Sequence, residues 1–244
     1  MTTESASDAP RKPRRGFWIF LRDVLVIIVI AALVSFLVKS FVVRSFYIPS
    51  ASMEKTLIVD DRILVDELTP RWTGYERGDV VVFADPGGWL PVKPQAPQGP
   101  VVLEWIDGLL TLIGLSSSDS EDHLVKRLIG LPGDHVVCCN SLGQITINDA
   151  PIDELSYLNL PDGDTQASNE PFDVTVPEKS IWVLGDNRDR SQDARAHQDL
   201  PSGGFVPLDN VVGKAFLTTW PLARIGTIDG HHDVFNGVPD PDEE

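Results

Sequence analysis

Cysteine is nearly absent from this 244-residue chain: there are two, Cys138 and Cys139, side by side. Neighbouring Cα atoms across a trans peptide lie ~3.8 Å apart, whereas disulfides favour ~5.5 Å, so the pair is expected as two thiols. Two adjacent cysteines also do not make a zinc site. Positive charge is the second shortage. Lys and Arg number 20 against 36 Asp and Glu, for a formal net charge of −16. Seven of the basic residues and only three of the acids fall in residues 1–44, which leaves 13 basic and 33 acidic residues beyond. A domain this acidic excludes nucleic acid as a partner, since binding there needs clustered Lys and Arg. Long amphipathic helical patterns are scarce too, while Gly and Pro reach 19 each. Short strands joined by turns are the expected architecture.

The one long apolar run is N-terminal. Residues 1–16 read as a disordered basic tail. From Val24 to Val38 no charge interrupts, and including Phe17–Leu21 extends the stretch to 17–39, enough for a transmembrane helix. Arg22 and Asp23 then sit at the inner interface, where Arg22 snorkels and Trp18 joins the aromatic belt. Five basic residues precede the run and two follow it closely, which predicts a single pass with a cytoplasmic N-terminus and the bulk of the chain outside, in contact with membrane lipid. The competing reading, a cleaved signal peptide, lacks a small-x-small site close behind the run.

From residue 40 to 236 the pattern is that of a β-rich extracytoplasmic domain. Strands are expected at Val42–Ile48, Arg62–Asp66, Asp79–Ala84, His123–Ile129, His135–Cys139, Ile145–Ile147, Ile181–Leu184 and Val211–Thr219, with a hairpin across Asn140–Gly143. A Pro-rich then apolar insert, 89–122, interrupts the series. It reads either as a core-facing helix or as a segment touching the membrane surface. Residues 237–244 read as an acidic disordered tail.

Two polar residues stand out chemically. Serines gather in Phe46-Tyr47-Ile48-Pro49-Ser50-Ala51-Ser52-Met53, just past the apolar run, and Lys126 lies in the apolar strand His123–Ile129. A serine hydroxyl needs a base, and no histidine sits in an evident triad motif. A lysine serves if burial lowers its pKa from ~10.4 toward ~7–8. On an alternating strand Lys126 shares its face with Leu124 and Leu128, and no acidic side chain is expected in contact with it. Lys55 offers an alternative base, because Ser52-Met53-Glu54-Lys55 has the S-x-x-K spacing of penicillin-binding proteins. No S-D-N or K-T-G accompanies it. A non-catalytic membrane-anchored β-domain is the other alternative.

Three segments together resemble the signature boxes of the bacterial type I signal peptidases: IPSASM, VKRLIGLPGD, and GDNRDRSQDAR from Gly185 to Arg195, with Gly78–Phe83 as a fourth match. The resemblance implies a mainly β, signal-peptidase-like fold with a smaller appended β subdomain at about 134–177, preceded by one N-terminal transmembrane helix. It implies a membrane-bound serine endopeptidase that removes signal peptides from secretory preproteins, cutting after small residues at −3 and −1, without cofactor or metal. Ser52 is then the nucleophile and Lys126 the general base. Ser50 contributes to the oxyanion hole and Ser191 orients the Lys126 amine. Asp186 with Arg127 and Asp193 with Arg195 form structural ion pairs. Phe46, Ile48, Met53, Leu57, Leu124 and Val125 line the substrate pockets, and the peptide adds as an extended strand. The chain departs from the family pattern at Lys55, where a Pro is usual, and at Arg190 and Ala194.

Overall fold

The computed structural model describes residues 15–41, 43–91, 122–161 and 163–241. Most of the 89–122 insert, residues 1–14 of the tail and residues 242–244 lie outside the described residues. Two compact units emerge, residues 1–40 and 41–244.

The first unit is dominated by helix α1, Arg15–Phe41. Its described large apolar side chains between Trp18 and Val34 are exposed, apart from Val24, which is half-buried. Arg22 and Asp23 pair with each other at 2.8 Å and break the apolar surface near its start. Among the described residues no helix is long and apolar enough to cross a membrane, so the structure does not show the transmembrane helix expected at 17–39.

The second unit is mainly β, in two sheets whose pairings are all antiparallel. The larger has the order β1 (Val43–Tyr47), β2 (Arg62–Asp66), β11 (Val211–Trp220), β3 (Val80–Ala84), β4 (His123–Gly130), β9 (Ser180–Leu184), β10 (Val206–Pro207), with β12 (Gly226–Thr227) paired to β11. The smaller has the order β7 (Ala150–Pro151), β6 (Ile145–Ile147), β5 (His135–Cys138), β8 (Phe172–Thr175). A short helix, α2 (Pro70–Thr73), fills the turn after β2.

Local sequence accounts for the strands that matter to the site. In β3 the run Val80-Val81-Val82-Phe83 is buried on both faces, as suits β-branched and aromatic residues in a central strand. Its register sets Val81 opposite Lys126 and Val80 opposite Arg127, placing the two cations of β4 next to the most apolar strand of the sheet. The expected hairpin forms with Val136 opposite Ile147. The side-chain oxygen Oδ1 of Asn140 accepts from the N–H groups of Leu142 and Gln144, the local bonding by which Asn favours turns.

Two expectations need correction. Cys138 and Cys139 are joined in a disulfide, with Cα atoms 3.0 Å apart across a cis peptide; the expectation of thiols assumed the trans spacing. The strands β7, β8, β10 and β12 were also not foreseen: β7, β10 and β12 are two residues long and carry no alternation to detect, whereas Phe172-Asp173-Val174-Thr175 of β8 does alternate and was overlooked.

Trp182 of β9 links the sheets. It is fully buried, with its ring 5.5 Å from that of Phe172 on β8 and 5.3 Å from that of Phe205. Deleting so large a buried ring removes its transfer energy and leaves a cavity. Trp182→Ala is therefore expected to lower unfolding stability by about 3–5 kcal/mol in a urea titration. A loss below about 1 kcal/mol would mean that this ring does not carry the junction.

Candidate active site

Past β1 the chain runs through Ile48-Pro49-Ser50 into one 3-10 turn, Ala51–Met53. Met53 and Leu57 are buried in an apolar cluster with Phe46, Ile48, Ile63, Val65, Val80, Val82 and Ala215. Those anchors orient the turn, because burying side chains at 53 and 57 leaves little freedom to the residues around them. Ser52 is 5% exposed. Its carbonyl accepts the Asn187 N–H at 3.0 Å, tying the turn to the Gly185–Arg195 segment. Ser50 is extended and exposed, with its Oγ 3.3 Å from Ser52 Oγ.

Lys126 Nζ lies 2.7 Å from Ser52 Oγ. The amine is buried, and loss of hydration lowers its pKa to about 8, since burial penalises the ammonium form. The charges of Asp193 and Asp186 pull it upward and that of Arg195 pushes it down. Burial prevails because each carboxylate is already engaged by its own arginine. Arg127 grips Asp186 through two bonds of 2.8 Å, both residues being fully buried. Arg195 grips Asp193 through bonds of 2.8 and 2.9 Å. Burial alone would raise the Asp193 carboxyl, but the hydrogen bonds and charge of Arg195 reverse this and hold it below the usual range.

Around these pairs the segments interlock. Arg127 also donates to Gly78 O at 2.7 Å and Gly230 O at 3.0 Å. The Tyr157 ring lies 4.2 Å from its guanidinium carbon. Thr56 Oγ1 donates to Asp186 at 2.5 Å and accepts from Arg127 at 3.2 Å. Arg188 bonds Gly185 O at 3.0 Å and pairs with buried Glu154 at 2.5 Å. Gly185 sits where no side chain fits: a Cβ there would lie 2.2 Å from Ser191 Oγ and 2.5 Å from Ser52 O.

The chain from residue 21 to 220 matches the family model described as signal peptidase, peptidase S26. A signal peptidase I of Mycobacterium tuberculosis is 38% identical over 238 residues, covering 91% of this chain and 79% of the relative. The chain belongs to the signal peptidase family, peptidase S26. With membership comes the activity class, serine endopeptidase. Signal peptidase I U of Bacillus subtilis is 32% identical over 207 residues, covering 83% of this chain and 88% of the relative. A solved signal peptidase I from Enterococcus faecalis is 25% identical and covers 57% of this chain and 95% of its own, with a TM-score of 0.35.

The structure brings the residues singled out in the sequence together unevenly. Ser52, Lys126 and Ser50 converge, and the two arginine–carboxylate pairs close. Phe46, Ile48, Met53 and Leu57 are core residues of one cluster, against which Val125 packs. Leu124 packs instead on the other cluster, which also contains Leu128, so it lies on the Lys126 face of β4. Ser191 is buried, with its Oγ against Gly185 beside the Ser52 carbonyl, and its hydroxyl helps to hold the Asp193 carboxyl down. The amine of Lys55 bonds Leu155 O at 2.8 Å and Leu158 O at 3.1 Å, which commits it away from Ser52 and weakens the S-x-x-K alternative. Glu154, Tyr157 and Thr56 were missed. They contact the site only through folding, and nothing in their local sequence marks them; Arg188 lay within the third box but had been given no role.

Two outcomes follow from this packing. Gly185→Ala forces the Ser52 turn and Ser191 apart; a displacement of ~1 Å at a reacting centre costs about 100-fold, so peptide cleavage is expected to fall by that order with the circular dichroism spectrum retained. Asp186→Asn leaves Arg127 buried without a counter-charge, and denaturant unfolding should register a loss of about 3–5 kcal/mol. Wild-type stability in the second variant would contradict the role given to the Arg127–Asp186 pair.

Proposed function

We propose that this chain is a membrane-anchored serine endopeptidase that removes signal peptides from secretory preproteins, with Ser52 as nucleophile and Lys126 as general base. The observation that carries this reading is the buried 2.7 Å approach of Lys126 Nζ to Ser52 Oγ in a chain of the signal peptidase family. Neutral Lys126 takes the Ser52 proton as Oγ attacks the scissile carbonyl carbon. The Ser52 N–H and the Ser50 hydroxyl face the oxygen on which charge develops. The Lys126 ammonium then returns a proton to the departing amine, leaving an acyl-enzyme. Lys126 next activates a water, which releases the signal peptide and frees Ser52. Ser191, buried beside the Ser52 carbonyl, orients the Lys126 amine.

The substrate adds as an extended strand beside 46–50 and 123–126. Among the described strands β1 stands at the end of the sheet order, which suits recognition by strand addition. Phe46, Ile48, Met53, Leu57, Leu124 and Val125 bound pockets that favour small residues at −3 and −1. The anchor is residues 17–39. α1 is 27 residues long, about 40 Å at 1.5 Å per residue, and the basic residues ahead of it put the N-terminus in the cytoplasm and the catalytic domain, 40–236, outside.

With a peptide ending its leader in Ala-x-Ala, in detergent or lipid, Ser52→Ala and Lys126→Ala are expected to be inactive and Lys55→Ala to stay active, within about tenfold of wild type. A dead Lys55→Ala beside an active Lys126→Ala would transfer the base to Lys55. Because only the neutral amine accepts the proton, kcat should rise with pH through about 8, the lowered pKa of Lys126; a flat profile from pH 6 to 9 would exclude this lysine as the base. The unfolded lysine binds its proton up to ~10.4, so the native state holds fewer protons between about 8 and that value and is stabilised as pH rises there. Replacing the buried amine should relieve its cost: Lys126→Met is expected to be more stable than wild type at pH 7, by up to about 3 kcal/mol. Equal or lower stability would mean that the buried amine is not held at a cost.

A further inference from the structure

We propose that Lys55 is a positioning residue, clamping the Ser52 turn to the segment Glu154–Leu158 so that water is kept from the buried charges beside Lys126. The inference rests on the reading of Lys126 as the base. Lys55 adopts φ +88°, a region that residues with a Cβ seldom enter. Such a conformation persists when surrounding contacts over-determine it. The contacts are its two ammonium hydrogen bonds, to carbonyls 100 and 103 residues away in the chain.

What those carbonyls belong to gives the clamp its meaning. In the same short segment the Tyr157 ring covers Arg127, and its hydroxyl donates to Glu154 at 2.6 Å. Glu154 holds Arg188, and just beyond, the Asn159 N–H reaches Asp186 O at 2.9 Å. On the other side of the clamp Thr56, next to Lys55, bonds both Asp186 and Arg127. Thr56 and Tyr157 therefore form a wall in front of the Arg127–Asp186 pair. An open cleft of about 380 Å³ lies before that wall, lined by Lys55, Thr56, Ser156, Tyr157, Arg224 and Asp229 among others. One half of the wall rides on the nucleophile turn and the other on a segment a hundred residues away. Lys55 bonds across the join. Without its amine the halves part more readily, and water from the cleft reaches charges adjacent to the base. Hydration favours the ammonium form of a buried lysine, so the fraction of competent enzyme falls at a given pH.

The test uses the full chain in detergent with the Ala-x-Ala peptide, comparing wild type, Lys55→Met and Lys55→Arg. Met keeps the stem and the backbone preference and removes only the donors; Arg restores donors. Lys55 is exposed, so neither change burdens the core. Loss of hydrogen bonds of this kind changes equilibria by about three- to tenfold. Lys55→Met is expected to lose that much kcat with KM within about twofold, and to shift the acid limb of kcat to higher pH. Lys55→Arg should recover most of both. Deuterium exchange at the amides of 155–158 should be faster in Lys55→Met. An unchanged kcat and acid limb, or unchanged exchange, overturns the clamp. A change confined to KM assigns Lys55 to substrate contact instead, and a complete loss of activity with normal exchange makes it part of the chemistry; either result also overturns it. Exchange needs no turnover, so an inactive wild type would sink the peptidase reading while the clamp was still decided by exchange.

Discussion

The burial of Lys126 opposite Ser52 is the constraint to which the surrounding structure answers: loss of hydration lowers the pKa of its amine to about 8, and the proposed function asks the neutral form to accept the Ser52 proton. A lysine left in solvent would be overwhelmingly ammonium and of no use as a base. Two carboxylates, Asp186 and Asp193, lie near enough to pull the amine back toward its charged form. Each is held by an arginine through two hydrogen bonds. The arginines thus serve the amine at one remove, because a carboxylate satisfied by its own guanidinium exerts little net field on its neighbour.

That solution brings its own demands. Arg127 is fully buried, and a guanidinium out of water needs all its donors engaged. It finds Asp186, Thr56, and the carbonyls of Gly78 and Gly230, with an aromatic face over its plane. These partners come from five separated stretches of chain. The third box therefore does more than supply two acids. Its glycine lets the Ser52 carbonyl and Ser191 come within a contact that no Cβ would permit, and its Arg188 reaches out to Glu154. The lowered pKa of one amine is in this sense bound up with the packing of a whole charge layer.

Much of this could be read beforehand. Valine and isoleucine runs between turn residues located the longer strands to within a residue or two, because a strand buried against a sheet must be β-branched or apolar along its length. The apolar company of Lys126 marked it as a lysine whose charge would be costly, and the pairing of Arg127 with Asp186 and of Arg195 with Asp193 was expected from the boxes that the chain resembles. The two-residue strands left no periodic trace, whereas the short alternation of β8 was there to be read and was overlooked.

What the linear chain determined by itself was composition along strands: which stretches are extended, which residue is an amine in apolar surroundings, and which serines follow the N-terminal helix. Tertiary structure alone decided proximity. Ser52 and Lys126 are 74 residues apart in sequence and 2.7 Å apart in space. Lys55, three residues from Ser52, instead sends its amine to carbonyls a hundred residues away. Sequence spacing offered the near lysine only as an alternative, because the S-D-N and K-T-G that accompany S-x-x-K elsewhere are absent. The register of β3 against β4 and the burial of Met53 and Leu57 bring Lys126, and not Lys55, to the Ser52 hydroxyl, because a hydrogen bond is made by atoms within reach, and reach is set by packing across the sheet.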